Sequence, residues 1–129
     1  CVEAKESGAD SIEVWGTGTA SREYLYVDDA ADAIVLAAGD HVGTDPINIG
    51  NDHEVTIRET VETIAKTVGF EGKLVWDASK PDGQPRRRVS VERAETILGW
   101  RARMPFEQGL RNTLDWYLAN RAEADRAPS

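Results

Sequence analysis

The sequence predicts an α/β domain, and three observations carry that expectation. Ser11–Trp15 alternates apolar and polar side chains as a half-buried strand does, and Lys73–Asp77 is a second, apolar strand-like run. Between and after them lie segments with apolar residues at helical spacing, over 57–68 and 106–118. Strand-like and helix-like segments interleave along the chain, with no repeat, no low-complexity tract and no linker dividing it. The 129 residues are therefore read as a single domain spanning 1–129.

In chain order, residues 1–10 are polar with small residues, a loop or a frayed helix end. Ser11-Ile12-Glu13-Val14-Trp15 reads as a strand and Gly16–Ser21 as a turn-rich loop. Tyr24–Val27, aromatic and β-branched, reads as a second strand. A short glycine-containing loop between the two predicts a hairpin. Asp28 and Asp29 then supply an N-cap and first-turn acid for a helix over Ala30–Ala38. Ile34, Val35 and Ala38 form its expected packing face. Gly39–Pro46 is a connection, and Ile47-Asn48-Ile49-Gly50 reads as a short buried strand.

Thr56-Ile57-Arg58-Glu59 has the form of a capping box that opens a helix. Ile57, Val61, Ile64, Ala65 and Val68 mark its apolar face, and Gly69 its C-terminal stop. Lys73–Asp77 is the next strand. Ser90 is placed to cap a helix over Val91–Leu98, which ends at Gly99-Trp100. Pro105 suits the first turn of the last helix. There Phe106, Leu110, Leu114, Tyr117 and Leu118 make one stripe, and the polar tail Glu123–Ser129 is expected to be mobile.

Charge narrows the function. The net charge of -8 disfavours nucleic acid as a partner, because that binding is driven by phosphate neutralisation. No apolar run is long enough to cross a bilayer. The single Cys1 rules out an internal disulfide and a cysteine-based metal site, and suits a cytoplasmic location. His41 and His53 lie far from paired carboxylates at ligand spacing, so no metal is expected. Against the acidic background, Ser79–Arg88 carries Lys80, Arg86, Arg87 and Arg88 on a backbone stiffened by Pro81, Gly83 and Pro85. Arginines held on a rigid loop suit a forked grip on phosphate, although a solvated basic loop balancing carboxylates is the competing reading.

Other motifs fail. Gly16-Thr17-Gly18-Thr19-Ala20-Ser21 begins like a dinucleotide fingerprint but ends in serine, and strand-like residues follow it, so a tight hairpin loop is the better reading. Tyr117 and Arg121 sit one substitution from a Tyr-x-x-x-Lys pair, yet Tyr117 lies on the packing stripe and reads as core. Trp76 and Trp100 read as packing residues. Trp15 ends a strand beside a glycine loop, where an indole can stack on a base or a sugar. No catalytic constellation emerges. What emerges is a set suited to holding a phosphorylated, ring-containing ligand: Trp15, Arg22 and the loop 79–88.

Those same stretches resemble a known family. Trp15–Asp29 resembles the W-G-x-G-x-x-x-R-E-F-L-x-V-D-D segment of the extended short-chain dehydrogenase/reductases, in the version found in GDP-L-fucose synthases. Ile47–Gly50 is similar to that family's I-N-V-G, and Thr56–Glu59 to its T-I-R-E. Asp77–Arg86 matches D-x-S-K-P-D-G-x-P-R, the most specific of the set, and Leu98-Gly99-Trp100 fits its C-terminal helices. The resemblance covers about residues 11–121.

It implies the C-terminal substrate-binding lobe of a Rossmann-type extended reductase, with a late strand and helices of the nucleotide-binding part. It implies a GDP-sugar as ligand, NADP as cofactor of the intact enzyme, and a homodimer. The family converts GDP-4-keto-6-deoxy-mannose to GDP-L-fucose by epimerisation and NADPH-dependent reduction. Its G-x-x-G-x-x-G loop and Ser/Tyr/Lys set have no counterpart in this chain. Carried over by position, Arg22 and Arg87 contact the diphosphate, Trp15 lines the sugar-nucleotide pocket, and Asp82 and Lys73 lie near the nucleotide. Position 87 is lysine in the family, and arginine keeps the charge. The alternatives are the lobe of another sugar-nucleotide epimerase or dehydratase, and a stand-alone or remnant binding module. The few short strands and the start at Cys1 fit a piece of a longer protein.

Overall fold

The computed structural model describes residues 1–40 and 43–126. His41 and the end of the polar tail fall outside them. The chain is mixed α/β, as expected, but its strands pair differently from the sequence reading.

A short helix α1 (Val2–Glu6) precedes β1 (Ser11–Trp15). β1 makes no hairpin. It pairs in parallel with β4 (Lys73–Asp77), Ser11 opposite Lys73 and Trp15 opposite Asp77. The alternation in β1 was legible, but its partner lies about sixty residues away, where no local turn signal could announce it. The predicted strand 24–27 is also displaced. The second strand is β2 (Ser21–Glu23), and Val27 already opens α2 (Val27–Asp40). β2 is the centre of a three-stranded sheet. It lies antiparallel to β3 (Glu54–Thr56) and parallel to β5 (Arg86–Arg87). The loop Gly16–Ala20 thus connects two sheets.

The capping box is present at α3 (Ile57–Val68). Glu59 N–H donates to Thr56 Oγ1 at 3.1 Å, and Thr56 N–H donates to the Glu59 carboxylate at 2.8 Å. Gly69 ends that helix in the left-handed conformation, φ +73°. Ile57, Val61, Ile64 and Val68 are half-buried and Ala65 is buried, as the spacing required. α4 (Glu92–Leu98) is entered from Val91 with no side-chain cap, so Ser90 does not play the role expected of it. Gly99 closes α4. α5 (Phe106–Ala119) follows Pro105, and a last turn, α6 (Arg121–Ala124), orders the beginning of the predicted tail.

Ile47–Gly50 forms no strand. Ile47 and Ile49 instead pack on a cluster of buried Ala33, Ala94 and Trp100. The alternation was a packing signal without a ladder. In α2 the inward face is also not the expected one. Ala33 is fully buried, whereas Ile34 and Val35 are 65% and 71% exposed. Small alanines let α2 and α4 approach closely, and the larger side chains turn outward.

Asp28 and Asp29 lie inside the first turn of α2 and not at its cap. Asp29 is buried, and its Oδ2 accepts the N–H groups of Arg103 and Met104 at 3.0 and 2.8 Å. A carboxylate that short, placed by the helix start, thereby orders the segment leading into α5. Glu23 acts similarly, accepting from Asn51 N–H and Val89 N–H, both at 3.2 Å.

Candidate anion-binding site

The site grows from the three-stranded sheet. Register partners in a sheet point to the same face, and neighbours along a strand to opposite faces. Arg22 is paired with Val55 on one side and Arg87 on the other. Ser21 is paired with Thr56 and Arg86, and Glu23 with Glu54. One face therefore carries Arg22 and Arg87 together. The opposite face carries Glu54, Ser21 and Arg86.

That second face is internally neutralised. Arg86 Nε donates to Glu54 Oε1 and Oε2 at 2.9 and 3.0 Å. Ser21 Oγ donates to Glu54 Oε1 at 3.0 Å, and Arg88 Nη1 stands 3.6 Å from Glu54 Oε2. The hydrogen bond from Arg86 foremost, against the cost of partial burial, and then the Ser21 hydroxyl and the two guanidinium charges, hold the Glu54 carboxyl down at about 2. Two of the three loop arginines are thus occupied, as the competing sequence reading proposed. A hollow of about 340 Å³ lined by Arg86, Arg88, Val89 and Glu92 lies beside them.

Arg22 and Arg87 differ. Among the described residues neither has a carboxylate within ion-pair distance. Arg22 is half-buried and Arg87 exposed. Arg22 Nη1 donates to the carbonyl of Ser21 at 2.5 Å, which fixes the guanidinium close to its own strand. The loop comes to meet it: a β-carbon built on Gly83, at φ +73°, would stand 3.9 Å from Arg22 Nη2. Two guanidinium groups with uncommitted donors on one face form an arrangement suited to a bidentate anion such as a diphosphate.

The loop is held by its own acid. Asp82 accepts from Thr17 N–H at 2.5 Å and from Thr17 Oγ1 at 2.7 Å. Those bonds, the hydroxyl first, keep the Asp82 carboxyl below the ordinary aspartate value. Gly16 sits at φ +88°, where a side chain is strained, and a β-carbon there would also collide with Asp82 Oδ1, so the position favours glycine. From the other side Arg58 donates from Nη2 to Thr17 O at 2.7 Å while stacking 4.2 Å from the centre of the Trp76 ring. Sequence reading missed Glu54 and Arg58, because each acts on a partner 32 and 41 residues distant.

Trp15 ends β1 and is 68% exposed. Its indole N–H donates to Glu13 Oε1 at 3.1 Å, and Lys80 Nζ stands 5.4 Å above its ring. The loop brings Lys80 to Trp15 and Gly83 to Arg22, so both ends of the expected set are joined by one segment. Lys73 is not brought there. It starts β4, at the opposite end of the strand from Asp77, roughly 13 Å away by strand rise.

The start of α3, on which the glycine loop lies, does not offer a dinucleotide pyrophosphate free N–H donors. The N–H groups opening α3 are spent on Ala20 O, Gly18 O and Thr56 Oγ1. The Gly16–Ser21 loop covers that helix start with its carbonyls, leaving no free donors for a pyrophosphate. Among the described residues there is no group of three or more potential metal ligands, and no helix long and apolar enough to cross a membrane.

Comparison with known proteins gives a consistent picture. Residues 2–50 match the model of the NAD dependent epimerase/dehydratase family. GDP-L-fucose synthase 1 of Arabidopsis thaliana is 48% identical over 118 residues, 92% of this chain and 36% of that protein. GDP-L-fucose synthase of Escherichia coli is 44% identical over 92% of the chain and 39% of its own length. The crystal structure of a GDP-L-fucose synthetase from Naegleria fowleri bound to NADP superposes with a TM-score of 0.87 at 29% identity, over 95% of this chain and 38% of that one. The chain thus spans a little over a third of the length of the relatives it matches.

Proposed function

Starting from a chain that is similar over nine-tenths of its length to GDP-L-fucose synthases, we propose that it is the GDP-sugar-binding C-terminal portion of such an enzyme. Its role is to grip the nucleotide diphosphate with Arg22 and Arg87, while Trp15 covers the nucleotide or sugar ring and Asp82 holds the loop at the site. Lys73 has no part in this reading, since it lies at the far end of its strand. The epimerisation and the NADPH-dependent reduction belong to groups outside these residues, and NADP is held there too. The working form is a cytoplasmic homodimer.

The observation that carries the reading is the pairing of Arg22 with Arg87 on a sheet face where neither has a carboxylate partner among the described residues. Charge-assisted hydrogen bonds are worth about 1.5–3 kcal/mol each. Isothermal calorimetry with GDP and with guanosine tests it. GDP is expected to bind and guanosine to bind far more weakly. Arg22→Ala or Arg87→Ala should each weaken GDP binding by about 10- to 100-fold. Equal affinity for GDP and guanosine contradicts a diphosphate grip.

A further inference from the structure

Glu54 has no place in the ligand site, yet it organises the strand that carries Arg87. It stands on β3, across β2 from β5, and its carboxylate spans the sheet to reach Arg86 and Arg88, the two neighbours of Arg87. β5 is only two residues long, and its ladder to β2 covers just Ser21–Arg86 and Arg22–Arg87. So short a strand has little backbone pairing to fix it. The exposed loop 81–88 also brings no buried side chain to the core. The Ser21 hydroxyl adds a third donor to Glu54, from the residue beside Arg22.

We propose that Glu54 is a positioning residue for the anion site: by holding Arg86 and Arg88 on one face of the sheet, it obliges Arg87 to project from the other, beside Arg22. The inference rests on the diphosphate reading of Arg22 and Arg87. It assigns two of the three loop arginines to holding β5 in place and one to ligand.

The sign of one substitution separates this role from plain electrostatics. Glu54→Gln removes a negative charge from the neighbourhood of an anion site. Coulomb attraction alone then predicts tighter GDP binding. Loss of positioning predicts weaker binding, because the ligand must then order the strand itself. Calorimetry of the full chain with GDP should give at least a five-fold loss for Glu54→Gln. Glu54→Asp keeps the charge but shortens the reach, and should also weaken binding while leaving the melting midpoint closer to wild type. In an Arg87→Ala background the further loss from Glu54→Gln should vanish, since nothing is left to position.

Unchanged or tighter binding in Glu54→Gln overturns the inference. Should that variant fail to fold, unchanged binding in folded Glu54→Asp overturns it equally. The underlying reading fails separately. If Arg22→Ala and Arg87→Ala bind GDP like wild type, the clamp itself is wrong. If those two lose affinity and the Glu54 variants do not, the clamp stands and only the positioning role falls.

Discussion

Asp29 and Gly18 show what single residues contribute beyond the ligand site. Asp29 is buried and satisfies two backbone N–H groups of the segment that leads into α5. Asp29→Ala leaves both donors without a partner and should lower stability by about 1–3 kcal/mol in a denaturant titration. A smaller loss is expected for Asp29→Asn, whose amide oxygen can still accept. Gly18 sits at φ +78°, and a β-carbon there would stand 2.6 Å from the Trp76 ring and 3.0 Å from Arg58. Gly18→Ala should therefore lower the melting midpoint and loosen the loop that Asp82 grips, with a cost above about 1 kcal/mol. The sequence made Arg22, Arg87 and Trp15 legible as chemistry, through residue type and the match to a family pattern. It did not make Asp29 legible. A carboxylate at a helix start reads as a cap unless its distant acceptor role, over 70 residues away, is known.

At the level of elements, the helices were easier to read than the strands, for a physical reason. α3 carries its own start and stop: Thr56, Glu59 and Gly69 lie within or next to the helix they bound. Thr56→Ala should cost about 1 kcal/mol of stability, measured by chemical unfolding. β1, β2 and β5 take partners far along the chain, and β2 and β5 are too short to show a period. The assignment of a hairpin failed because nearness in sequence stood in for pairing.

The small sheet should also be sensitive to acid. The folded Glu54 carboxyl titrates at about 2, against an ordinary value of 4.5. Its contribution is complete above 4.5 and fades as pH falls from there toward 2. Glu59 and Asp82 are lowered as well and act in the same direction. Acid unfolding followed by circular dichroism should thus steepen below pH 4.5, and Glu54→Gln should flatten the wild-type slope in that window. An identical slope in both forms contradicts the assignment.

Across the molecule, apolar surface is unevenly distributed. Val27, Ile34 and Val35 on α2 are 65–71% exposed, and Trp116 and Leu118 on α5 are more than half exposed. Among the described residues the parallel pair β1–β4 makes a sheet of two strands, whereas parallel sheets are ordinarily covered on both faces. The chain spans little more than a third of its relatives, and surfaces of this kind suit packing against further protein. Taken alone at high concentration the chain should self-associate in light scattering, and Val35→Glu should reduce that association. A monodisperse monomer under those conditions contradicts the expectation. The α/β class was legible from the interleaving of periods, but the division into a two-stranded and a three-stranded sheet was not, because only long-range pairing decides it.

In the proposed site Arg22 and Arg87 act on one anion. The sharpest check is a double-mutant cycle on GDP affinity, by calorimetry with wild type, Arg22→Ala, Arg87→Ala and the double variant. If both guanidinium groups share a diphosphate, the double variant should lose clearly less affinity than the sum of the two single losses. Strictly additive losses, or no loss from either substitution, would contradict a shared grip.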